Sequence, residues 1–255
     1  MTTVLVTGGT GNLGGSVVAH LLTAGATVRL ASRRPRPPGA VPEVDWAEVD
    51  YASRAGLDRA LSGADVVLHC AGGAGRAEAG TMAALLSSGR RAGLPHLAYI
   101  SIVGVDRIPL GYYRSKLAAE RALIASGVPW TILRATQFHD LALSVVSRAA
   151  LLPVAVAPGL SCQPVAVDEV AARLVDIAAG PAQGRVPEFG GPEILSFREL
   201  VQLYLRARGK RKPVLSVPVP GKVAAAWRAG AGLTPDHGDG LQTFAQYLAL
   251  REHRG

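Results

Sequence analysis

The stretch "VTGGTGNLGG", Val6 to Gly15, ends an apolar run that starts at Thr3 and leads into "SVVAHLL", whose apolar residues recur at helical spacing. It contains Gly9-x-Gly11-x-x-Gly14 and, read one residue earlier, Gly8-x-x-Gly11-x-x-Gly14. Between a strand and a helix, such glycines let the backbone come close to a pyrophosphate. The helix start behind them offers free N–H groups and the positive end of its dipole. The spacing predicts a dinucleotide site formed by Gly8, Thr10, Gly11, Asn12, Leu13 and Gly14. The alternative is a glycine-rich tight turn that holds nothing.

Outward from this loop the chain alternates. Strand-like runs at 2–8, 27–32, 46–51, 64–73, 96–104 and 129–136 are separated by helical stretches at 16–25, 53–63, 79–93 and 111–126. Runs such as "DVVLHC" are apolar throughout, as parallel strands covered on both faces are. This rhythm predicts an α/β fold with a doubly wound parallel sheet. After residue 137 the rhythm loosens. A helix is expected over 138–152, and a short strand and a helix over 164–180 with Asp168 as N-cap. A further helix at 196–209 opens with Ser196 and Glu199, a capping box. An extended segment follows at 212–220, then a mainly helical tail. The expected organisation is a dinucleotide-binding core over 1–150 and a smaller C-terminal substrate lobe over 151–255, partly interleaved with the core.

Composition narrows the classes. The 255 residues are 49% hydrophobic, enough for a sizeable buried core. No apolar run approaches the roughly 20 residues that span a bilayer, and the opening "MTTVLVTGG" lacks the basic start of a signal peptide. Cys70 and Cys162 lie far apart and read as reduced thiols, with no metal ligand spacing. These features predict a cytoplasmic protein, monomer or homodimer, with a small-molecule substrate and neither a membrane nor a metal. The formal charge of +8 would attract anions. The chain has no DNA-reading motif and no basic run interleaved with aromatics, so no nucleic-acid partner is expected.

The end of the second strand speaks to the cofactor. An NAD site places Asp or Glu there to hold the ribose hydroxyls. This chain has Ser32, Arg33 and Arg34. Guanidinium groups pair with a 2′-phosphate that a carboxylate would repel, so NADPH/NADP is expected. Asp50, after the third strand, either reaches the adenine edge or caps the next helix.

With these residues the chain resembles an atypical short-chain dehydrogenase/reductase of the NmrA-like, NAD(P)H-binding group. The resemblance rests on "TGGTGNLG" at 7–14, "SRR" at 32–34, "ADVVLHCAGG" at 64–73, "YISIVGV" at 99–105 and "YYRSKLAAE" at 112–120. It extends through "WTILRATQFHD" at 130–140 and "PVAVDEVAARL" at 164–174. It implies a Rossmann-type doubly wound sheet with a small C-terminal substrate lobe. It also implies a nicotinamide near Cys70, Ala71, Gly72 and Gly73, and near Arg134 to Phe138, with Ala135, Thr136 and Phe138 touching the cofactor. The group includes quinone and aryl-ether-type reductases and also redox-sensing regulators without turnover.

The wider superfamily uses Tyr-x-x-x-Lys with a serine from the fifth strand. Tyr112, Lys116 and Ser101 match. In that role Tyr112 gives a proton to the oxygen on which charge develops. Lys116 lowers the phenol and holds the nicotinamide ribose, and Ser101 polarises the carbonyl. Only four lysines stand among 27 basic residues, which singles out Lys116. Tyr113 points roughly a hundred degrees around the helix from Tyr112. The bland reading is an amphipathic helix with a wet tyrosine and a solvated lysine. His69 reads as a core histidine, and Cys70 has no base beside it in sequence. Phe138, His139 and Leu143 are placed at the substrate. Three functions are consistent with this: an NADPH-dependent reductase of a small apolar carbonyl, quinone or enone, a non-catalytic NADP(H) sensor, or an isomerase or dehydratase that borrows the cofactor.

Overall fold

The computed structural model of the protein describes residues 2–72 and 76–252. In chain order its elements begin with β1 (Thr3–Thr7), α1 (Asn12–Thr23), β2 (Thr27–Ser32), β3 (Val44–Glu48), α2 (Leu57–Leu61) and β4 (Val66–His69). Next come α3 (Arg76–Ala92), β5 (Leu97–Ile102), α4 (Gly111–Ile124), β6 (Trp130–Ala135) and α5 (His139–Ala149). They continue with β7 (Ala155–Pro158), β8 (Ser161–Cys162), α6 (Val167–Ala178), β9 (Gly184–Arg185) and β10 (Leu195–Ser196). The last are α7 (Phe197–Ala207), β11 (Val214–Val217), α8 (Lys222–Arg228), a 3-10 turn at Pro235–His237, and α9 (Phe244–Glu252).

Seven strands form one sheet in the order β3-β2-β1-β4-β5-β6-β9. The pairs β3–β2, β2–β1, β1–β4, β4–β5 and β6–β9 run parallel. The order reverses direction at β1, the switch point beyond which doubly wound sheets bind ligands at their strand carboxyl ends. This is the α/β, Rossmann-type sheet that the alternation predicts. Among the described residues no helix is long and apolar enough to cross a membrane.

By its internal contacts the chain divides into two units. The first comprises residues 1–101, 111–133 and 170–186, and the second 102–110, 134–169 and 187–255. The first is built on Leu5, Val67, Leu85, Leu97 and Ile132, which share one apolar cluster. The second gathers Ala142, Val146, Leu200, Val201, Leu205 and Phe244 in a cluster of its own. There α7 opens with the expected capping box: Ser196 accepts from the Glu199 N–H, and Glu199 reaches back to the Ser196 N–H.

Three differences from the expected boundaries have a clear local reason. The third strand stops at Glu48, opposite Ser32, rather than running to 51. The Asp50 carboxylate instead accepts from the Ala52 N–H and the Ser53 hydroxyl, which turns the chain out of the sheet. The second helix starts at Leu57, because Arg54 (φ 65) and Gly56 (φ 75) are left-handed and cannot continue a helix backwards. Its N-cap is Gly56, so Asp50 does not cap it. Asp168 lies inside the first turn of α6 beside Glu169 rather than at its cap. Its charge still meets the positive helix end there.

Leu97 is fully buried in the first unit's cluster. Leu97→Ala is expected to cost about 2–5 kcal/mol, read as a lower urea midpoint. Ser196→Ala, which removes the α7 cap, is expected to cost only about 1 kcal/mol.

Candidate active site

The glycine loop packs backbone on backbone. Gly8 has φ +71, and a Cβ built there would lie 2.6 Å from Cα and N of Ala71, just beyond β4. A Cβ on Gly14 would run into the Gly8 carbonyl oxygen. Gly11 is the N-cap of α1 and brings no side-chain acceptor, and the first turn carries no acid. Thr10, Gly11 and Asn12 are exposed while Leu13 is buried, so Leu13 offers only its backbone to a ligand. The Gly11 N–H donates to the Gly8 carbonyl (2.9 Å) and closes the turn, and a close-packed turn ahead of a helix N-terminus fits a pyrophosphate.

At the end of β2, Ser32 is buried and its hydroxyl accepts from the Arg34 N–H (3.0 Å). Arg33 and Arg34 are exposed. A cavity of about 730 Å³ opens beside Arg33, lined also by Asp50, Gly56 and Arg59. Sequence reasoning did not single out Arg59. It brings a second guanidinium to this cavity from α2, and no local motif marks it. Both Asp50 oxygens serve its own turn, and the Ser53 hydroxyl is the main cause that holds its carboxyl below the usual value.

The tyrosine, lysine and serine all lie in the first unit. A methyl group built on Gly72 would lie 3.5 Å from the Tyr112 hydroxyl, so the phenol stands beside the end of β4. Tyr112 is 38% exposed and Tyr113 is buried, with the rings edge to face at 6.3 Å. The Ser101 hydroxyl is buried and has no hydrogen-bond partner among the described residues, an orphaned donor of the kind that marks a ligand site. Cys70 donates its N–H to the Thr7 carbonyl, and Ala71 donates to Thr7 Oγ1 (3.4 Å). Burial pushes the Cys70 thiol up to about 12, so it is no nucleophile at neutral pH. Gly73 lies outside the described residues.

Beneath these groups runs a buried polar chain that the sequence reading missed. Lys116 is only 3% exposed, not solvated. Its ammonium lies 3.1 Å from Glu78 Oε1, donates to the Ile100 carbonyl oxygen (3.2 Å), and stands 4.6 Å over the Tyr99 ring. The Tyr99 hydroxyl donates to the same Glu78 oxygen at 2.5 Å. Tyr99 stacks on His69 (centroids 5.3 Å), whose Nδ1 shares a 2.6 Å hydrogen bond with Thr7 Oγ1. The one available signal was that Glu78 is the sole acid between Asp65 and Asp106. Its position on α3 gives no hint of its partner.

This arrangement corrects one expectation. The Tyr112 phenol is raised above its ordinary value, not lowered, first by burial and then by the Glu78 charge. The Lys116 ammonium is turned to Glu78 and Ile100, so its charge is compensated before it can act on the phenol.

The remaining candidates lie in the second unit. Ala135 ends β6, and its carbonyl accepts from the Val103 N–H. Thr136 is buried, donates its N–H to the Phe189 carbonyl and accepts from the Gly191 N–H. Phe138 is the N-cap of α5. His139 is 1% exposed, stacks on Tyr247 (4.9 Å) and bonds through Nε2 to the Gln242 carbonyl (3.0 Å). Its ring is part of that unit's aromatic cluster rather than facing open space. Leu143 packs on the same unit's core.

A family model described as NAD(P)H-binding matches residues 8–181. A (4-alkanoyl-5-oxo-2,5-dihydrofuran-3-yl)methyl phosphate reductase of Streptomyces griseus is 32% identical, over 81% of this chain and 74% of that protein. Quinone oxidoreductase 2 of Escherichia coli is 24% identical, over 82% of this chain and 75% of that protein. Among solved structures, the Escherichia coli NADPH-dependent quinone oxidoreductase complexed with NADPH superposes with a TM-score of 0.82 at 20% identity. That match covers 98% of this chain and 99% of the other.

Burial lowers His69 to about 4, and lowers His96 and His139 as well. The unfolded imidazoles take up protons near 6.5, before the folded ones do. Stability is therefore complete above about pH 6.5 and falls as pH drops toward 4, by on the order of 3 kcal/mol for His69 alone. Thermal unfolding followed from pH 7 to 4 should show this decline, and His69→Asn should make it shallower. A midpoint that does not change over that interval would contradict the buried, neutral imidazoles.

Proposed function

The chain belongs to the NAD(P)H-binding family, and we propose that it is an NADPH-dependent oxidoreductase that reduces a small apolar carbonyl, quinone or enone. The observation that carries the reading is the presence, in one unit, of the glycine cradle and of Ser101, Tyr112 and Lys116. The general class, an NAD(P)-dependent oxidoreductase, has the support of two curated relatives that are reductases. One of them is named for a dihydrofuran ring that bears a carbonyl, which supports an enone-like substrate.

When bound, NADPH supplies a hydride from its nicotinamide ring. The glycine turn and the start of α1 bind its pyrophosphate through Thr10, Asn12 and Leu13 backbone groups, with Gly11 giving the room for close approach. Arg33 and Arg34 pair with the 2′-phosphate beside the cavity that Arg59 shares. Lys116 directs its ammonium to the ribose hydroxyls. Tyr112, raised by burial, keeps its proton at neutral pH and donates it to the oxygen that gains charge. Ser101, without another partner among the described residues, donates to the same oxygen. A cytoplasmic monomer or homodimer completes the reading.

The test is NADPH oxidation with a panel of quinones, ketones and enones. Tyr112→Phe is expected to lower kcat about 10²- to 10⁴-fold with at least one substrate, and unchanged turnover would refute the proton-donor role. NADPH binding without turnover on the whole panel would point to a sensor instead. Arg33→Ala is expected to weaken NADPH about 10- to 100-fold, the loss of one charged hydrogen-bond partner, while NADH affinity holds. Equal loss for both cofactors would remove the 2′-phosphate argument.

A further inference from the structure

Lys116 is an ammonium inside the protein, and a lysine so deep loses its proton unless a carboxylate faces it. Glu78 supplies that carboxylate from α3, and is itself 1% exposed. Its Oε1 is shared by two donors, Lys116 Nζ and Tyr99 Oη. Tyr99 anchors the carboxylate from β5, and the Ile100 carbonyl fixes the ammonium from the same strand. Two of the three ammonium protons are thereby used. No described residue takes the third.

We propose that Glu78 is the positioning residue for Lys116: its carboxylate, held by the Tyr99 hydroxyl, balances the buried ammonium and leaves one N–H directed at a dinucleotide ribose hydroxyl. The proposal rests on Lys116 being the cofactor-facing cation. Other groups that face Lys116 do not replace Glu78. The Cys70 thiol beyond β4 is pushed up and neutral, and His69 on β4 is pushed down and neutral. The Tyr99 phenol on β5 is raised by burial and by Glu78, and remains a donor. On α4 itself, Tyr112 is protonated at neutral pH and Glu120 is engaged by Arg185 from β9 at 3.5 Å. Burial lowers Lys116 and the Glu78 charge opposes that shift. Removing the carboxylate therefore moves the lysine further down.

The chain's four lysines permit a direct reading. Labelled at lysine and titrated without cofactor, the protein gives four side-chain signals, and Lys116→Arg assigns the one of interest. In the native chain Lys116 is expected to remain an ammonium at pH 7. In Glu78→Gln its midpoint should fall by about one pH unit or more, while Lys210, Lys212 and Lys222 do not move. NADPH affinity of Glu78→Gln should then be about tenfold weaker about one pH unit above that lowered midpoint and return toward native about one unit below it, where the lysine regains its proton. Glu78→Asp should restore part of it. A merely structural role would not produce that pH-reversible loss. An unmoved Lys116 midpoint in Glu78→Gln overturns the proposal. So does a Lys116 that is already neutral at pH 7 in the native chain, which needs no variant to fold. If the midpoint moves while NADPH affinity stays the same at both pH values, the cofactor reading of Lys116 falls and takes the proposal with it.

Discussion

The first unit depends on one steric constraint: the turn after β1 must lie backbone against backbone on the chain leaving β4. Gly8 and Gly14 satisfy it because neither carries a Cβ that would strike Ala71 or the Gly8 carbonyl. Once that contact forms, α1 starts directly behind the turn with an uncapped, acid-free N-terminus. A helix in that position lacks anionic compensation and is suited to a phosphate. The same close approach carries Ala71 to Thr7 and brings Gly72 beside the Tyr112 hydroxyl. The glycine turn and the Tyr112 hydroxyl are therefore positioned by one packing requirement.

Below the cradle, electrostatics takes over from sterics. A buried ion pair recovers its desolvation cost only with good geometry and further hydrogen bonds. The Glu78–Lys116 pair has both, since Tyr99 and the Ile100 carbonyl fill the remaining positions. The pair joins α3, β5 and α4, and its negative member helps to raise the Tyr112 phenol.

Much of the sheet was legible because each strand carries its own signal. Apolar runs announced β1, β2, β4, β5 and β6, and the regular alternation with helices gave their parallel direction. The capping box at Ser196 and Glu199 was legible for the same reason: both partners lie within one turn. The third strand and second helix were misplaced by a few residues. There an aspartate-led turn and two left-handed residues, Arg54 and Gly56, override the apolar pattern. His139 looked available from sequence, yet its ring is enclosed by residues from the far tail, Gln242 and Tyr247.

The sequence by itself determined the glycine-rich turn between β1 and α1, the parallel α/β sheet and the Tyr112–Lys116 spacing. Each is a pattern within one element or between adjacent ones, so spacing alone specifies it. Only the tertiary structure decided that Lys116 is buried against Glu78, that Tyr99 and His69 extend the same chain, and that the Tyr112 phenol is raised rather than lowered. Those facts depend on which charges meet out of water, and that is set only when α3, β5 and α4 pack together.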